Sequence, residues 1–586
     1  MKINLFKTPF LQFDFLNLNT DQREQKIFQN PIEILQTNEP KKVIDILNQV
    51  ELAVNNGYYA AGFLSYEASA AFLPVNSFAR DEFPLIWFGI FDESSTEVPK
   101  KQNNFKVSNW MPEITQDEYN QAFDEIKNAF QLNQTKQVNY TLQLNAKFKG
   151  DSYAYYKTLK EKQQADYSCY LSLENVDILS LSPELFFDLK TDLITLKPMK
   201  GTKERGKNSF EDRIFKEELK NSTKDKLENQ LIVDLMINEL KTISNPNSIN
   251  VKKPFEISTF PTLFQMTSTI EAKLKSNKKL SDIFTQLFPC GSITGTPKIE
   301  TINFINQLEN RNRQIYSGTI GFITPKKEAT FNVPIRTVSI NKQNEHARYD
   351  VGGGITHLSN ADDEYNEAFT KAKILNASQK DFDLIETFGL YQGNFVAYKA
   401  HLNRLKSSAE YFNFKVDIDH IDKKLKLLAK KNSSEKLRIR LLVNSLGDIT
   451  ITSTPLVIDN EIKKVSLAKK PIDKNNIFLY HKTTNRDIYD DLKSDYKNSF
   501  DVVLWNQNNE VTEFTIGNLV IEYNNELITP PVSSGLLPGT YREVLLENQI
   551  IKENIITKNM LQKATSIWLI NSVRKWVKVQ LKKDSI

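Results

Sequence analysis

Runs in which apolar and polar residues alternate dominate residues 1–110. Tyr58-Tyr-Ala-Ala-Gly-Phe-Leu-Ser-Tyr and Pro84-Leu-Ile-Trp-Phe-Gly-Ile-Phe read as strands with at least one buried face. A polar spacer, Glu97 to Asn104, separates them from Gln116–Leu132, where apolar residues recur every three or four positions and predict an amphipathic helix. From there to about Lys373, strand-like and helix-like blocks alternate irregularly, which favours a large α+β domain over a regular βαβ winding. A helix over Asp362–Leu375 runs into Asn376-Ala-Ser-Gln-Lys-Asp, a polar junction. The pattern then restarts with a strand at Phe382–Phe388 and a helix at His401–Tyr411. The restart predicts a second domain. The expected division is an N-terminal part at 1–110, the main body of the first domain at 111–376, and a second domain at 377–586.

Length agrees with that division, because 586 residues exceed what one hydrophobic core organises. With 40% hydrophobic and 25% charged residues the composition is that of an ordinary soluble protein. The longest apolar runs, such as Leu231-Ile-Val-Asp-Leu-Met-Ile, are short and broken by charge, so no membrane span is expected. The opening Met1-Lys-Ile-Asn-Leu-Phe-Lys lacks the apolar core of a secretory signal, and a cytoplasmic protein is expected. Two cysteines, Cys169 and Cys290, without a CxxC or a histidine cluster, exclude a disulfide framework and a structural zinc site. Net charge is only +4. Basic runs such as Lys423-Lys-Leu-Lys and Lys430-Lys431 then read as a solvated helix face, and no nucleic-acid partner is expected.

Three segments of the first part carry candidate chemistry. Gly352-Gly-Gly after the strand-like Ala347-Arg-Tyr-Asp-Val reads as a turn whose bare amides can approach a carboxylate. Glu364, Glu367 and Lys371 fall on one helix face, and Glu228 opens a second, apolar helix. Carboxylates from two helices, with substrate oxygen and water, suit octahedral Mg²⁺. Alone, each is equally a glycine turn or a solvated Glu–Lys pair.

Together, in order, they resemble something specific. Ser182-Pro-Glu-Leu-Phe-Phe, Lys197-Pro-Met-Lys-Gly-Thr-Lys-Glu-Arg-Gly, Glu228-Asn-Gln-Leu-Ile-Val-Asp-Leu, Phe288-Pro-Cys-Gly-Ser-Ile-Thr-Gly-Thr-Pro-Lys, Arg313-Gln-Ile-Tyr-Ser-Gly, Phe331-Asn-Val-Pro-Ile-Arg-Thr and Gly352 to Lys373 are similar to the chorismate-binding enzymes. That family includes anthranilate, isochorismate, salicylate and aminodeoxychorismate synthases, and the resemblance covers about 1–375. It implies an anthranilate-synthase-like β-sandwich and helix domain. Arg336, Tyr316 and the amides of Gly353 and Gly354 would hold the enolpyruvyl carboxylate, with Lys371 also at the substrate. Thr202 would contact the ring substituent. Glu228, Glu364 and Glu367 would carry Mg²⁺ on the ring carboxylate. Glu184 would be the general acid that releases the C4 hydroxyl, which requires a carboxyl still protonated near neutral pH.

Two positions narrow the reaction the resemblance implies. Water-using members carry a lysine base where this chain has Gln137, and glutamine cannot serve as that base. Lys200 matches the aminodeoxychorismate branch, whereas anthranilate and isochorismate synthases have a small residue there. A lysine amine can add to C2 as the C4 hydroxyl departs, after which ammonia displaces it. Gln265 replaces a histidine of many relatives, Cys290 replaces a glycine, and the usual Gly-Asp before Gln137 is missing. Neither cysteine has the setting of a glutaminase nucleophile, so the resemblance implies a separate glutamine amidotransferase subunit.

Residues 379–586 resemble the class IV aminotransferase fold, which includes aminodeoxychorismate lyase. The similarity rests on Leu384-Ile-Glu-Thr-Phe-Gly-Leu, His401-Leu-Asn-Arg-Leu-Lys-Ser-Ser-Ala, Tyr480-His-Lys-Thr-Thr-Asn-Arg, Val511-Thr-Glu-Phe-Thr-Ile-Gly-Asn, Leu536-Leu-Pro-Gly-Thr-Tyr-Arg and Ile570-Asn-Ser-Val-Arg. It implies pyridoxal 5′-phosphate (PLP), with Lys482 forming the imine and Glu513 pairing with the pyridine nitrogen. Arg404, the amides of Thr540 and Tyr541, and Ser572 would bind the phosphate. A homodimer through this domain is a further expectation of the class. The two resemblances imply one bifunctional chain: chorismate aminated to 4-amino-4-deoxychorismate, then stripped of pyruvate to give 4-aminobenzoate for folate synthesis. An anthranilate synthase-like first domain with a transaminase-like second one is the alternative, and Lys200 argues against it.

Overall fold

A computed structural model describes residues 9–582 except 77, 80, 98–103, 262, 377–381 and 460. The spacer at 97–104 and the junction at 376–381 therefore fall mostly outside the described residues. The chain divides into two compact units, Met1–Glu204 with Lys216–Ser378, and Arg205–Phe215 with Gln379–Ile586. No described helix is long and apolar enough to cross a membrane. Cys169 and Cys290 are free and buried.

Four strands and two helices of the first unit matter most: β1 (Gln137–Gly150), β2 (Met199–Glu204), β3 (Leu263–Lys273) and β4 (His346–Thr356), with α1 (Thr223–Ile243) and α2 (Ala361–Ala372). They belong to two large sheets, each of ten strands among the described residues. β1 and β4 pair in one sheet, and β2 and β3 pair in the other. The N-terminal strands serve both. Phe10–Asn17 and Gln22–Gln29 extend the first sheet, while Glu33–Thr37, Tyr59–Leu64 and Ile86–Phe91 extend the second.

The period-2 pattern explains the layering. Along Phe10–Asn17, Leu11, Phe13 and Phe15 point into a core shared with Phe63, Trp87 and Phe322 of the other sheet. Gln12 and Asp14 face the opposite way and bond Tyr153 and Tyr156. The outer face of the first sheet is covered by amphipathic helices that include Gln116–Gln131 and α2. The outer face of the second is covered by Pro40–Asn55, α1 and Leu280–Leu287. The result is an α+β unit of helix, sheet, sheet and helix layers.

In the second unit, β5 (Leu384–Tyr391) and β6 (Lys436–Val443) pair antiparallel in a four-stranded sheet. The apolar face of that sheet packs on α3 (Tyr398–Phe412) and on Ile418–Lys431. Leu384, Phe388, Leu437, Ile439 and Leu441 form the buried face. The lysines of Ile418–Lys431 lie on its exposed side, as their pattern predicts. A second, mixed sheet has nine described strands, and pairing of Glu510–Phe514 with Gly517–Tyr523 closes six of them into a barrel around Val503, Leu519 and Leu569. A short helix, α4 (Thr540–Glu547), follows.

Several local expectations need correction. Gly352-Gly-Gly is not a turn. It lies within β4, where Gly352, Gly353 and Gly354 pair with Thr141, Tyr140 and Asn139. The glycines answer close approach rather than chain reversal, since a Cβ on Gly352 would fall 2.0 Å from the Tyr140 carbonyl oxygen. Glu228 does not open its helix. α1 begins at Thr223, capped by the Ser222 hydroxyl, and Glu228 sits in its second turn. α2 ends at Ala372 and its last residues tighten into a 3₁₀ turn, while α3 starts at Tyr398 rather than at His401.

Candidate active sites

The first site is built around a bulge. The pairing of β2 with β3 slips between Met199 and Thr202, and Gly201 takes φ +99°, a conformation that favours glycine. The slip re-aims Lys200 while keeping both strands paired. Asn229 of α1 holds the bulge by donating from Nδ2 to the Lys200 carbonyl at 3.2 Å, and its Oδ1 accepts from Ser268 Oγ at 2.6 Å. Gln265 adds two more ties, donating to the Gly201 carbonyl at 2.8 Å and accepting from Thr202 Oγ1 at 3.1 Å. The glutamine at this position therefore pins the strand that carries Lys200 and Thr202.

The Lys200 ammonium lies 3.6 Å from Glu228 Oε2 and is largely buried. A Cβ on Gly354 would fall 2.6 Å from Lys200 Nζ and 3.0 Å from Gln137 Nε2, so lysine, glutamine and the bare strand meet at one place. Gln137 Nε2 is buried without a hydrogen-bond partner. One residue back, a Cβ on Gly353 would fall 2.9 Å from Glu364 Oε2 and 3.6 Å from Lys371 Nζ. Lys371 bonds the Gly352 carbonyl at 2.9 Å and pairs with Glu367 at 2.8 Å. Glu364, pushed up by burial, accepts from Ser359 Oγ at 2.6 Å, and Glu367 is held down by Lys371. Glu228 thus neighbours Lys200, Glu364 neighbours Gly353 and Glu367 pairs with Lys371, yet among the described residues no three acidic side chains form a cluster that could hold a metal.

Glu184 sits at the start of strand Leu185–Lys190, 3% exposed, and its Oε1 accepts from Ser292 Oγ at 2.6 Å. Burial pushes its carboxyl up to about 7, against the Ser292 hydroxyl, a backbone amide and the more distant charge of Lys200. It is a carboxyl able to give a proton near neutrality. Arg336 is 8% exposed, with φ 51°, and none of the described acidic side chains pairs with it. Burial pushes its guanidinium down. A buried guanidinium without a carboxylate is costly unless an anion completes it. Tyr316 is also buried, its hydroxyl pushed up by burial, and Tyr349 acts electrostatically on both residues. Buried Cys290 lies 3.2 Å from Ser292 Oγ.

The second site lies in a cavity of about 440 Å³ lined by Lys482, Arg404, Glu513, Gly539, Thr540 and Ser572, among others. Lys482 belongs to an extended segment docked on β5, its carbonyl accepting from Ile385 N at 2.9 Å. Burial, with Arg404 and Arg486 nearby, pushes its ammonium down to about 8. Glu513 is 3% exposed and burial pushes it up to about 8, although the Tyr489 hydroxyl at 2.8 Å, Leu537 N at 3.2 Å and Asn518 Nδ2 at 3.2 Å all donate to it. These donors, with the charges of Lys482 and Arg486 acting from further off, do not offset its burial. A cation in contact, such as a protonated pyridine nitrogen, would. Asn518 also donates to the Leu537 carbonyl, and a Cβ on Gly539 would fall 1.8 Å from Asn518 Oδ1, so only glycine fits before α4.

Arg404 is held by Glu386, with Nε to Oε1 at 2.9 Å and Nη2 to Oε2 at 2.6 Å, and by the Pro538 carbonyl at 3.1 Å. Burial opposes ionisation of Glu386, but Arg404 and His401 outweigh it and hold the carboxyl down at about 2. Burial keeps His401 neutral, so its Nδ1–H donates to Glu386 and its Nε2 accepts from Thr540 Oγ1 at 3.0 Å. This chain fixes Arg404 beside the first residues of α4, where the free amides of Thr540 and Tyr541 favour a phosphate. Ser572 Oγ donates to the Thr387 carbonyl at 3.0 Å. The donor set fits PLP: a buried lysine of lowered pKa, a buried acid lacking a cation, and an oriented arginine at a helix start.

Of the partners that complete these sites, Ser292, Asn229, Asn518 and Tyr489 carried no sequence signal of their own role. All of these but Tyr489 lay inside the recognised segments, as did Glu386 and His401, whose role was equally unmarked.

Residues 13–377 match the chorismate binding enzyme family, and residues 383–581 match amino-transferase class IV. The chain is 33% identical to aminodeoxychorismate synthase component 1 of Salmonella typhimurium over 278 residues, 47% of this chain and 61% of that one. It is 34% identical to the protein of the same name from Escherichia coli over 282 residues, 48% of this chain and 62% of that one. The chain thus spans about 60% of the length of these curated relatives. In fold it is similar to anthranilate synthase component I from Streptococcus pneumoniae, with a TM-score of 0.51 and 19% identity over 63% of this chain and 90% of that one.

Proposed function

The chain belongs to the chorismate-binding enzymes, and on that footing we propose that it makes 4-aminobenzoate from chorismate and ammonia in two steps, one in each unit. The observation that carries the first step is the bulge that presents Lys200 Nζ at Gly354 and Gln137, beside Glu228. Arg336 and Tyr316 take the enolpyruvyl carboxylate together with the amides of Gly353 and Gly354, and Thr202 meets the ring substituent. Glu184 gives its proton to the departing C4 hydroxyl while the Lys200 amine adds at C2. Ammonia then bonds to C4, the double bond returns, and the Lys200 amine leaves. Gln137 cannot deprotonate water, so water does not compete at C2. Glu228, Glu364 and Glu367 are the side chains expected to take Mg²⁺ for the ring carboxylate, but as they stand they do not form a cluster able to hold it, and the step above is derived from the chain's own residues without it. Ammonia reaches the site from a separate glutaminase subunit.

In the second unit PLP supplies an electron sink for the carbon that bears the amine. Arg404, Thr540, Tyr541 and Ser572 would hold the phosphate end, and Glu513 would pair with the ring nitrogen, whose positive charge would favour its ionisation. Lys482 Nζ takes a proton from C4 of the substrate and returns one as pyruvate leaves, a role suited to an amine near pKa 8. Loss of pyruvate leaves an aromatic ring, so the elimination runs downhill.

The test combines the chain with chorismate, Mg²⁺, ammonium and PLP. The reading expects 4-aminobenzoate and pyruvate in equal amounts. Anthranilate as the main product overturns it, and accumulation of aminodeoxychorismate without pyruvate overturns the second step alone.

A further inference from the structure

The proton of a carboxylic acid can sit on either oxygen, and the two oxygens of Glu184 are not equivalent. Oε1 is bonded to Ser292 Oγ, so a proton held there is turned into the protein. The residues that decide between the oxygens lie on one turn. Residues 288–294 leave helix Leu280–Leu287 and coil through a 3₁₀ turn at Gly291–Ile293. The backbone of that turn is pinned on three sides. Thr294 Oγ1 donates to the Cys290 carbonyl at 3.1 Å, the Ile293 carbonyl accepts from Arg313 Nη1 at 3.2 Å, and a Cβ on Gly291 would fall 2.6 Å from Leu235 Cδ2 of α1. Cys290 and Ser292, both buried, are thereby held in place beside the acid.

Three polar atoms follow in line: Cys290 Sγ, then Ser292 Oγ at 3.2 Å, then Glu184 Oε1 at a further 2.6 Å. Two arrangements of hydrogens satisfy them. In the first, Ser292 donates to sulfur and Glu184 donates to Ser292, which consumes the acid proton internally. In the second, the thiol donates to Ser292 and Ser292 donates to Oε1, which leaves the acid proton on Oε2. The chemistry of the two ends selects the second. A thiol sulfur is a weak acceptor and a carboxyl oxygen a strong one, so the serine hydrogen goes to Glu184. Burial, with the Glu184 carboxyl beside it, pushes the Cys290 thiol up to about 12, so sulfur keeps a hydrogen to donate.

We propose that Cys290 and Ser292 are positioning residues for Glu184, an S–H···O–H···O line that keeps Oε1 an acceptor and places the acid proton on Oε2. The inference rests on the reading of Glu184 as the acid that releases the C4 hydroxyl. In that step the proton passes from Oε2 to the departing oxygen, which leaves as water. Ser292 keeps its own hydrogen and donates it to the carboxylate that forms, and the thiol loses nothing. Glycine, the residue that Cys290 replaces, has no hydrogen to offer here, and the serine hydroxyl would be free to turn. The cysteine is therefore a gain in orientation rather than a neutral filling of the turn. Lys200 is the charged side chain that acts on Glu184, and Glu239, the other carboxyl that acts on Cys290, is paired with Lys298 at 2.6 Å. Both are left in place by every substitution below.

The test follows chorismate consumption by the full chain across pH, with Mg²⁺ and at constant free ammonia. Ser292 donates to the ionised form of Glu184, so its loss should have two effects of opposite sense. In S292A kcat should fall about tenfold, while the alkaline limb moves up by about one pH unit and KM for chorismate stays put. A merely structural defect would lower the rate without moving the limb. C290A and C290G should lose about three- to tenfold in kcat, and C290S, whose hydroxyl can donate as the thiol does, should recover most of that loss. Thermal midpoints identify any variant that fails to fold, and the C290S and C290A pair carries the test if S292A is lost. An S292A enzyme within twofold of the parent and with an unmoved limb overturns the proposal, and so does a C290S enzyme no better than C290A. E184Q separates the two readings. A limb lost in E184Q but unmoved in S292A overturns the line and leaves the acid standing, whereas a limb kept in E184Q removes the acid itself.

Discussion

Replacing Glu184 by glutamine tests the proton donor of the first site. The carboxyl is raised from the ordinary 4.5 to about 7, mainly by burial. At pH 7 about half of it is protonated, whereas an ordinary glutamic acid would be protonated in roughly one molecule in 300. Burial thus increases the acid form by about two orders of magnitude, in the range that general acid catalysis supplies. At constant free ammonia, chorismate consumption should be level below pH 7 and fall as pH rises through about 7. E184Q should lose about 10²–10³-fold in kcat and lose that limb.

The same shift makes a stability prediction of definite sign. The folded protein holds the proton more tightly than the unfolded chain between about 4.5 and 7. Stability from this group is therefore full below 4.5 and lost as pH rises through 7, by about 3 kcal/mol when complete. E184Q has nothing to ionise, and glutamine can keep the Ser292 bond. Relative to the parent it should gain up to about 3 kcal/mol on going from pH 4.5 to pH 8, read from paired urea denaturation curves. An E184Q enzyme within threefold of the parent and with the same alkaline limb would refute the assignment. So would a stability difference that does not change with pH.

Three further outcomes follow from named contacts. Borohydride reduction of the PLP-loaded chain should attach a pyridoxyl group at Lys482 by peptide mass mapping, and Lys482→Ala should lose both the adduct and pyruvate release, the latter by about 10³-fold or more. Gly354→Ala places a methyl group 2.6 Å from Lys200 Nζ and 3.0 Å from Gln137 Nε2. Both are ends of flexible side chains, so the thermal midpoint should stay near the parent while amination falls about 10²-fold, and an unimpaired variant would place the reaction elsewhere. Glu386→Ala strips the carboxylate from buried Arg404 and His401. It should cost about 3–5 kcal/mol in denaturation of the second unit and weaken PLP retention, and a loss under about 1 kcal/mol would contradict the pairing.

The residues that touch substrate or cofactor stood in recognisable segments, because chemistry restricts residue type at each. The partners that complete them were not legible as such, even where they lay in the same segments, as Ser292, Asn229 and Asn518 do. Ser292 is 108 positions from Glu184, and its bond follows from tertiary packing alone. The glycines at 352–354 misled for a physical reason: glycine marks both chain reversal and close approach, and only the register with Thr141, Tyr140 and Asn139 distinguishes them. Alternation also predicts a strand without predicting its neighbours. Phe10–Asn17 and Tyr59–Leu64 have similar patterns yet lie in different sheets, since partner choice is a long-range matter.

Three buried glutamates show how partners, rather than burial, divide the labour. Glu184 and Glu513 are both nearly sealed from solvent and both bonded by neutral hydroxyl or amide donors, and both are pushed up, to about 7 and about 8. Glu386 is sealed just as fully, yet the Arg404 guanidinium in contact with it is the main influence holding it down at about 2. Hydrogen bonds from neutral groups do not offset the loss of hydration; a guanidinium in contact does. Ionised Glu386 positions Arg404 and His401 and holds no proton to give near neutral pH. Glu184 keeps its proton and can give it to the substrate. Glu513 keeps its proton only until a cation arrives, so binding of a protonated pyridine ring should release a proton from this residue. Proton uptake or release on adding PLP, measured in two buffers of different ionisation enthalpy, should therefore change in Glu513→Gln while remaining as in the parent for E184Q. Equal proton balance in the parent and Glu513→Gln would show that the ring nitrogen does not meet this carboxyl.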